Sequence, residues 1–223
     1  MDVIEVLPRL RMLRFPVGAA YLWRDGDGLT LIDTGTADCA SEIEKVLDGN
    51  LLRIVLTHWH EDHTGSAAAL AARHGAEVVA HRLDAPVIRG QVAGAPAVLE
   101  EFEVPIRAAL PPLPPAPPCR VDREVEDGAV LDFGEGAVVV AVPGHTDGSI
   151  ALHLPGPRVL FTGDAVANVG RTMTGVFNTD RARAVASLRQ LAELDVDTAV
   201  FGHGEPITRG ATDALRRAAA ATA

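Results

Sequence analysis

Cysteine is scarce in this chain, with two in 223 residues, and aromatic side chains make up only 4%. Cys39 and Cys119 form no CxxC pair and cannot frame a disulfide-stapled scaffold, which points to a reduced compartment. Long apolar runs are missing as well. Charge, proline or glycine cuts every apolar stretch within about ten residues, whereas a bilayer span needs ~20. The opening stretch from Met1 to Leu13 lacks the basic and apolar regions of a signal peptide, so a cytoplasmic protein with no membrane partner is expected. Basic charge is in deficit: 20 Lys and Arg stand against 30 Asp and Glu, a formal charge of −10. That balance repels phosphate backbones and argues against nucleic acid as a partner. Arginines at 171, 181, 183, 189, 216 and 217 have no interleaved aromatics and read as solvated helix faces.

What is present is an ordinary globular balance, 48% hydrophobic and 22% charged. Asp2–Leu7, Leu10–Phe15, Ala19–Trp23 and Leu29–Asp33 read as strands, and Asp25-Gly26-Asp27-Gly28 is a hairpin signal between the last two. A helix is expected over Ala37–Leu47, a buried strand over Leu51–Leu56, and an Ala-rich helix over Ser66–His74 closed by Gly75. Glu77–Ala80, Val121–Val125, Ala129–Phe133 and Ala137–Val142 supply further strands, and the tail from Ile207 to Thr222 reads as a closing helix.

Residues 19–35 and 149–164 share one plan: strand, tight turn, strand, then an acidic glycine turn. Each is followed by a helix, near 37–47 and 180–193, and by an apolar strand ending in histidine. Two such halves imply two face-to-face sheets with helices outside, in a single domain over 1–223. Residues 84–119 interrupt the pattern. The prolines between Pro111 and Pro118 exclude helix and central strand there, so a short helix or two and an extended wrap are expected, inserted as a lid. Its apolar residues, Phe102 and Ile106 among them, must pack on the sandwich, line a pocket or meet another subunit in a homodimer.

His58-Trp59-His60-Glu61-Asp62-His63 follows a strand and precedes a helix. His58 and His60, at i and i+2, point the same way from extended chain, and Asp62 and His63 reach a second point as the chain turns. Imidazole with carboxylate suits zinc, iron or manganese. The HExxH spacing of a zincin helix is not met. His145, Asp164 and His203 each sit at a strand end beside glycine, and strand ends on one edge are where sites assemble. Five histidines and two aspartates suffice for two ions sharing one carboxylate. His74 and His153 look structural, and His81 is a weaker candidate for lining the site.

Together these residues resemble the metallo-β-lactamase-fold superfamily. Its HxHxDH signature is His58, His60, Asp62 and His63; its GHTxGS histidine is His145, with Thr146 and Ser149 in place; its TGD aspartate is Asp164; its GHG histidine is His203; its early Asp-Thr-Gly is Asp33-Thr34-Gly35. The resemblance implies an α/β fold, a four-layer αββα sandwich of two mixed sheets. It assigns His58, His60 and His145 to one metal and Asp62, His63 and His203 to the other, with Asp164 bridging. It implies two divalent ions, zinc first with iron or manganese as alternatives, and a bridging hydroxide that attacks a carbonyl or phosphoryl centre. Asp62 and Asp164 are then the catalytic carboxylates, and Asp33 supports a ligand histidine through its other nitrogen.

Departures narrow the family. Asp164 argues against antibiotic hydrolysis as the main task. Glyoxalase II-like thioesterases carry a helical domain after the last histidine, where 20 residues follow here. Acyl-homoserine lactonases place a tyrosine where Ala167 stands. The expectation is a hydrolase of a small ester, thioester or lactone, with Arg171 and Phe177 of the Asn168–Asn178 loop as substrate contacts. The alternatives are a mononuclear iron oxidoreductase resembling the persulfide dioxygenases, and a non-catalytic metal-binding protein.

Overall fold

In the computed structural model, which describes residues 1–222, the strand signals of the first third form an antiparallel meander. Its strands are β1 (Asp2–Leu7), β2 (Leu10–Arg14), β3 (Ala19–Asp25) and β4 (Gly28–Ile32), with the Asp25–Gly28 turn where the sequence puts it. The parallel strands β5 (Asn50–Leu56), β6 (Glu77–His81) and β7 (Arg123–Val125) extend it into a seven-stranded sheet in sequence order. The second sheet has five strands in the order β14-β11-β10-β9-β8. These are β8 (Val130–Leu131), β9 (Ala137–Ala141), β10 (Ile150–Leu154), β11 (Val159–Phe161) and β14 (Thr198–Val200). The internal repeat is visible in the pairing: hairpin β3–β4 continues into parallel β5, and hairpin β10–β11 into parallel β14.

Alternation along the strands builds the layers. Tyr21, Trp23, Ile32 and Val55 meet Val139, Ile150, Leu152 and Phe161 between the sheets. The other face of the first sheet, with Leu22, Leu31 and Ile54, packs under α1 (Ala40–Glu44) and α3 (Ala67–His74). The outer face of the second, with Val140 and Leu160, packs under α6 (Arg181–Leu191) and α7 (Ala211–Ala221). The order of layers is αββα, as the sequence implies.

Three elements differ from expectation. Helix α1 is five residues long rather than spanning 37–47, because Thr36 Oγ1 bonds Asp38 at 2.6 Å and the chain turns before it can coil. The closing helix starts at Ala211, since Ile207 pairs with Ala199 in a β-bridge. The expected Asn168–Asn178 loop is largely a hairpin of β12 (Val166–Val169) and β13 (Arg171–Thr174), whose short strands give little local signal.

The chain between β6 and β7 carries α4 (Ala85–Ile88), α5 (Glu103–Ala109) and then the proline-rich wrap. Ile88 is buried, yet Val98, Phe102, Val104 and Ile106 stay exposed. A buried contact pins α5 to the second half: the Glu103 carboxylate accepts the Phe177 N–H at 3.0 Å. Val98 N–H adds a bond to the Asn178 carbonyl at 2.9 Å. Among the described residues no helix is long and apolar enough to cross a membrane.

Candidate metal centre

The seven residues singled out in the sequence converge. His58 and His60 leave the end of β5, and Asp62 and His63 lie in a one-turn helix, α2 (Glu61–Thr64), ahead of the α3 helix. His145 stands on the turn after β9, Asp164 in a 3-10 turn after β11, and His203 after β14.

Two donor groups form, with Asp164 between them. In the first, His60 Nδ1 lies 3.0 Å from His58 Nε2 and 2.9 Å from His145 Nε2. In the second, Asp62 Oδ2 lies 3.7 Å from His63 Nε2 and 3.3 Å from His203 Nε2. Asp164 reaches His63 at 3.4 Å and His203 at 3.2 Å, and its Oδ2 is 3.6 Å from His145. Donors held ~2.0–2.1 Å from a tetrahedral zinc lie about 3.3 Å from one another. His63 Nε2 and Asp164 Oδ1 are buried without a hydrogen-bond partner, although each faces polar atoms. Donor type, spacing and these orphaned atoms all fit divalent cations.

Asp33 sets the ring orientations. Its Oδ2 accepts from His63 Nδ1 at 2.8 Å and from Thr57 Oγ1 at 2.7 Å, and its Oδ1 accepts the Thr57 N–H at 2.8 Å. With that hydroxyl proton committed, Thr57 Oγ1 accepts from His58 Nδ1 at 3.0 Å. Both rings thus carry a proton on Nδ1 and turn Nε2 inward. Asp33 holds φ at 60°, a left-handed conformation that costs a non-glycine residue ~1–3 kcal/mol and is tolerated at functional positions. Gly202 is needed for space: a Cβ there would sit 1.9 Å from Asp164 Oδ1.

The electrostatics divide the same way. Burial, reinforced by neighbouring histidines, pushes His58 well below the usual histidine pKa and His60 down to about 3. Asp164 lifts His203 to about 10 against burial. Burial also works against charge on His63, but Asp164, Asp62 and Asp33 overcome it and raise that ring well above its usual value. Asp62 falls to about 2, since His63 and His203 outweigh its burial.

The substrate-contact candidates fare differently. Arg171 is exposed beside the turn of the β12–β13 hairpin, outside both donor groups. Phe177 is half-buried with φ at 60°, its N–H on Glu103 and its ring 5.9 Å from the Arg107 guanidinium. His81 accepts the Leu83 N–H at 3.3 Å and lies outside both groups. Sequence reasoning missed Asp84, a buried carboxylate wedged between the loops that carry His58 and His145. Its only signal is an acidic residue three positions beyond an apolar strand. It also missed Tyr21, whose hydroxyl donates to the Phe201 carbonyl at 2.6 Å and ties the two sheets together beside Gly202.

The chain matches the metallo-beta-lactamase superfamily profile over residues 13–203. A hydroxyacylglutathione hydrolase of Rhodobacter capsulatus is 32% identical over 188 residues, 82% of this chain and 61% of that protein. The chain therefore spans about three fifths of the length of that relative. The hydroxyacylglutathione hydrolase GloC of Haemophilus influenzae is 28% identical with 93% of each chain covered. Length after the last histidine therefore does not separate this chain from proteins of that name. The probable metallo-hydrolase YflN of Bacillus subtilis is 31% identical, over 80% of this chain and 76% of its own. Among solved structures, TTHA1623 in a di-iron-bound form is 28% identical with a TM-score of 0.69, covering 92% of this chain and 96% of its own. A Cronobacter sakazakii metallo-beta-lactamase variant, 22% identical with a TM-score of 0.76 over 100% of this chain and 94% of its own, shares the fold.

Proposed function

The chain belongs to the metallo-beta-lactamase superfamily, and from that premise we propose that it is a hydrolase dependent on two divalent metal ions, acting on a small thioester, ester or lactone. The observation that carries this is the pair of donor groups with Asp164 between them. TTHA1623, a structural relative bound to two irons, supports two ions, and the hydroxyacylglutathione hydrolases support thioester cleavage. Zinc is proposed first, and the same donors suit iron.

His58, His60 and His145 would hold one ion and Asp62, His63 and His203 the other, with Asp164 shared. Bound there, the pair would supply an activated water and polarise the carbonyl under attack. The chain's own groups do the rest. Asp62, with its low pKa, steers by charge rather than by storing a proton. Asp33 fixes a proton on Nδ1 of the His63 and His58 rings and so aims their Nε2 atoms at the centre.

For the substrate, we propose that its apolar part enters a cavity of about 180 Å³ beside the Trp59 indole. Trp59, Val87, Val92 and Pro117 line it, with Glu61 and Thr64. The Trp59 indole meets the His60 ring edge-on at 4.3 Å. Glu61 forms no ion pair among the described residues, and its charge disfavours an anionic group in that cavity. The proline-rich segment would act as its lid, and dimerisation through the exposed α5 face is the rival role for that segment.

Protein purified without chelator should contain two metal ions per chain and cleave members of an anaerobic thioester, ester and lactone panel. One iron per chain with oxygen uptake on a persulfide would overturn the reading.

A further inference from the structure

Asp84 stands three residues beyond β6, just before α4, and only 2% of its surface is exposed. It makes no ion pair among the described residues, and three donors take its place as partners. Its Oδ1 accepts the Gly148 N–H at 2.9 Å, and its Oδ2 accepts the Trp59 N–H at 3.1 Å and the Thr146 hydroxyl at 2.8 Å. The proton order follows. Thr146 Oγ1 donates to Asp84, so Ser149 Oγ must donate to Thr146 Oγ1 at 2.8 Å, and it accepts the Thr146 N–H at 3.0 Å. Gly148 has to be glycine for this approach, since a Cβ there would lie 2.5 Å from Asp84 Oδ1.

Trp59 separates His58 from His60, and Thr146 follows His145. One carboxylate therefore joins the backbones of the two loops that carry the three-histidine group, one from each half of the sandwich. Among the described residues, no hydrogen bond joins it to Asp62, His63 or His203. Its carbonyl also accepts the Val87 and Ile88 N–H groups, both at 3.0 Å, which starts α4 and roots the lid segment.

We infer that Asp84 is a positioning residue for the three-histidine metal position. It sets the separation of His58 and His60 from His145 through their backbones, much as Asp33 sets ring orientation through side chains. This rests on the metal reading proposed above. An asparagine has the right shape and the wrong chemistry: one acceptor oxygen must serve donors on both sides, and its NH2 faces a donor. Groups that orient metal ligands typically change metal affinity by about 10–100-fold.

The test titrates Zn2+ and Co2+ into metal-free wild-type, Asp84→Asn and the milder Thr146→Val proteins, and follows the Co2+ absorption spectrum. In Asp84→Asn, affinity at the three-histidine position should fall at least ~10-fold, with the other position within a few-fold of wild type. Thr146→Val should give a smaller loss at the same position. Gly148→Ala, which displaces the carboxylate from the other side, should reproduce the Asp84→Asn pattern. In metal-free protein, ring 15N shifts of His58, His60 and His145 should change while that of His63 stays. Unchanged affinity at both positions, or equal loss at both with a matching fall in Tm, would overturn the inference. A wild-type protein that takes up no metal would defeat the function proposed above, and the ring shifts would then decide the role of Asp84 alone.

Discussion

The three-histidine group and the carboxylate-rich group share an edge of the sandwich and differ in almost every other respect. His58, His60 and His145 offer only nitrogen and are pushed towards neutrality by burial and by neighbouring histidines of both groups. Around Asp62, His63 and His203 the carboxylates hold both imidazoles protonated at neutral pH when no metal is present. A neutral nitrogen triad is ready for a cation and releases no proton on binding it. The other group holds protons where a cation would go. Asp164 is the element common to both, because its oxygens reach His63, His203 and His145.

Removing the shared carboxylate should have the largest effect. Asp164→Ala is expected to lower hydrolysis by more than the ~100-fold typical of losing a supporting residue. The fold should persist, since Asp164 lies in a 3-10 turn outside the sheets. Metal analysis with steady-state kinetics checks it, and full activity with two metals retained would defeat the two-ion proposal. Asp33→Asn should come next. Asp33 bonds His63 directly and His58 through Thr57, so metal affinity should fall about 10–100-fold at both positions, unlike the one-sided loss expected for Asp84.

The pH response separates the groups in metal-free protein. His203, raised to about 10, contributes stability that is complete below the ordinary histidine pKa and lost as pH rises through about 10. His60, lowered to about 3, works in the opposite sense. Its neutral folded form contributes stability above the ordinary value, and this is lost as pH falls towards about 3. Melting of chelated protein should therefore weaken on both sides of neutrality. His203→Gln should flatten the alkaline limb and leave the His60 part of the acid limb in place. Metal loading at pH 7 should release protons, and His203→Gln should reduce their number. An unchanged proton count would break the distinction between the groups.

Much of this was legible in the residues. Histidines after apolar strands, glycines beside them and the repeated hairpin plan are local patterns, and they predicted both the sandwich and the seven converging side chains. Asp84 was not legible, because its role depends on Trp59 and Gly148, which are 25 and 64 residues away. The expectation for Arg171 and Phe177 rests on their lying in one loop. Folding of β12 onto β13 instead left Arg171 exposed and placed Phe177 under Arg107. Of the three fates open to the apolar residues of this segment, packing on the sandwich does not apply to Phe102, Val104 and Ile106, which stay exposed, and nothing in periodicity says whether a helix finds a partner within its own chain.

The smallest effect is expected at Glu103, which belongs to neither donor group. Its carboxylate is the one buried side chain of α5, and its two oxygens accept the Glu100 and Phe177 N–H groups at 3.0 Å each. The loop it grips bonds onward to the three-histidine group, because Thr179 N–H donates to the His145 carbonyl at 3.2 Å. Glu103→Gln keeps one acceptor oxygen and puts an NH2 against the other N–H. The cost should be about 1–3 kcal/mol, concentrated in the segment rather than the sandwich. Hydrogen exchange should therefore rise over residues 98–110 with little change in the strands. If the segment roofs the Trp59 cavity, KM should shift several-fold across an acyl chain-length series while kcat and both metals stay near wild type. Faster exchange with unchanged selectivity would leave the segment a packing or dimer element, and a fall in kcat with loss of one ion would show that the lid acts through His145.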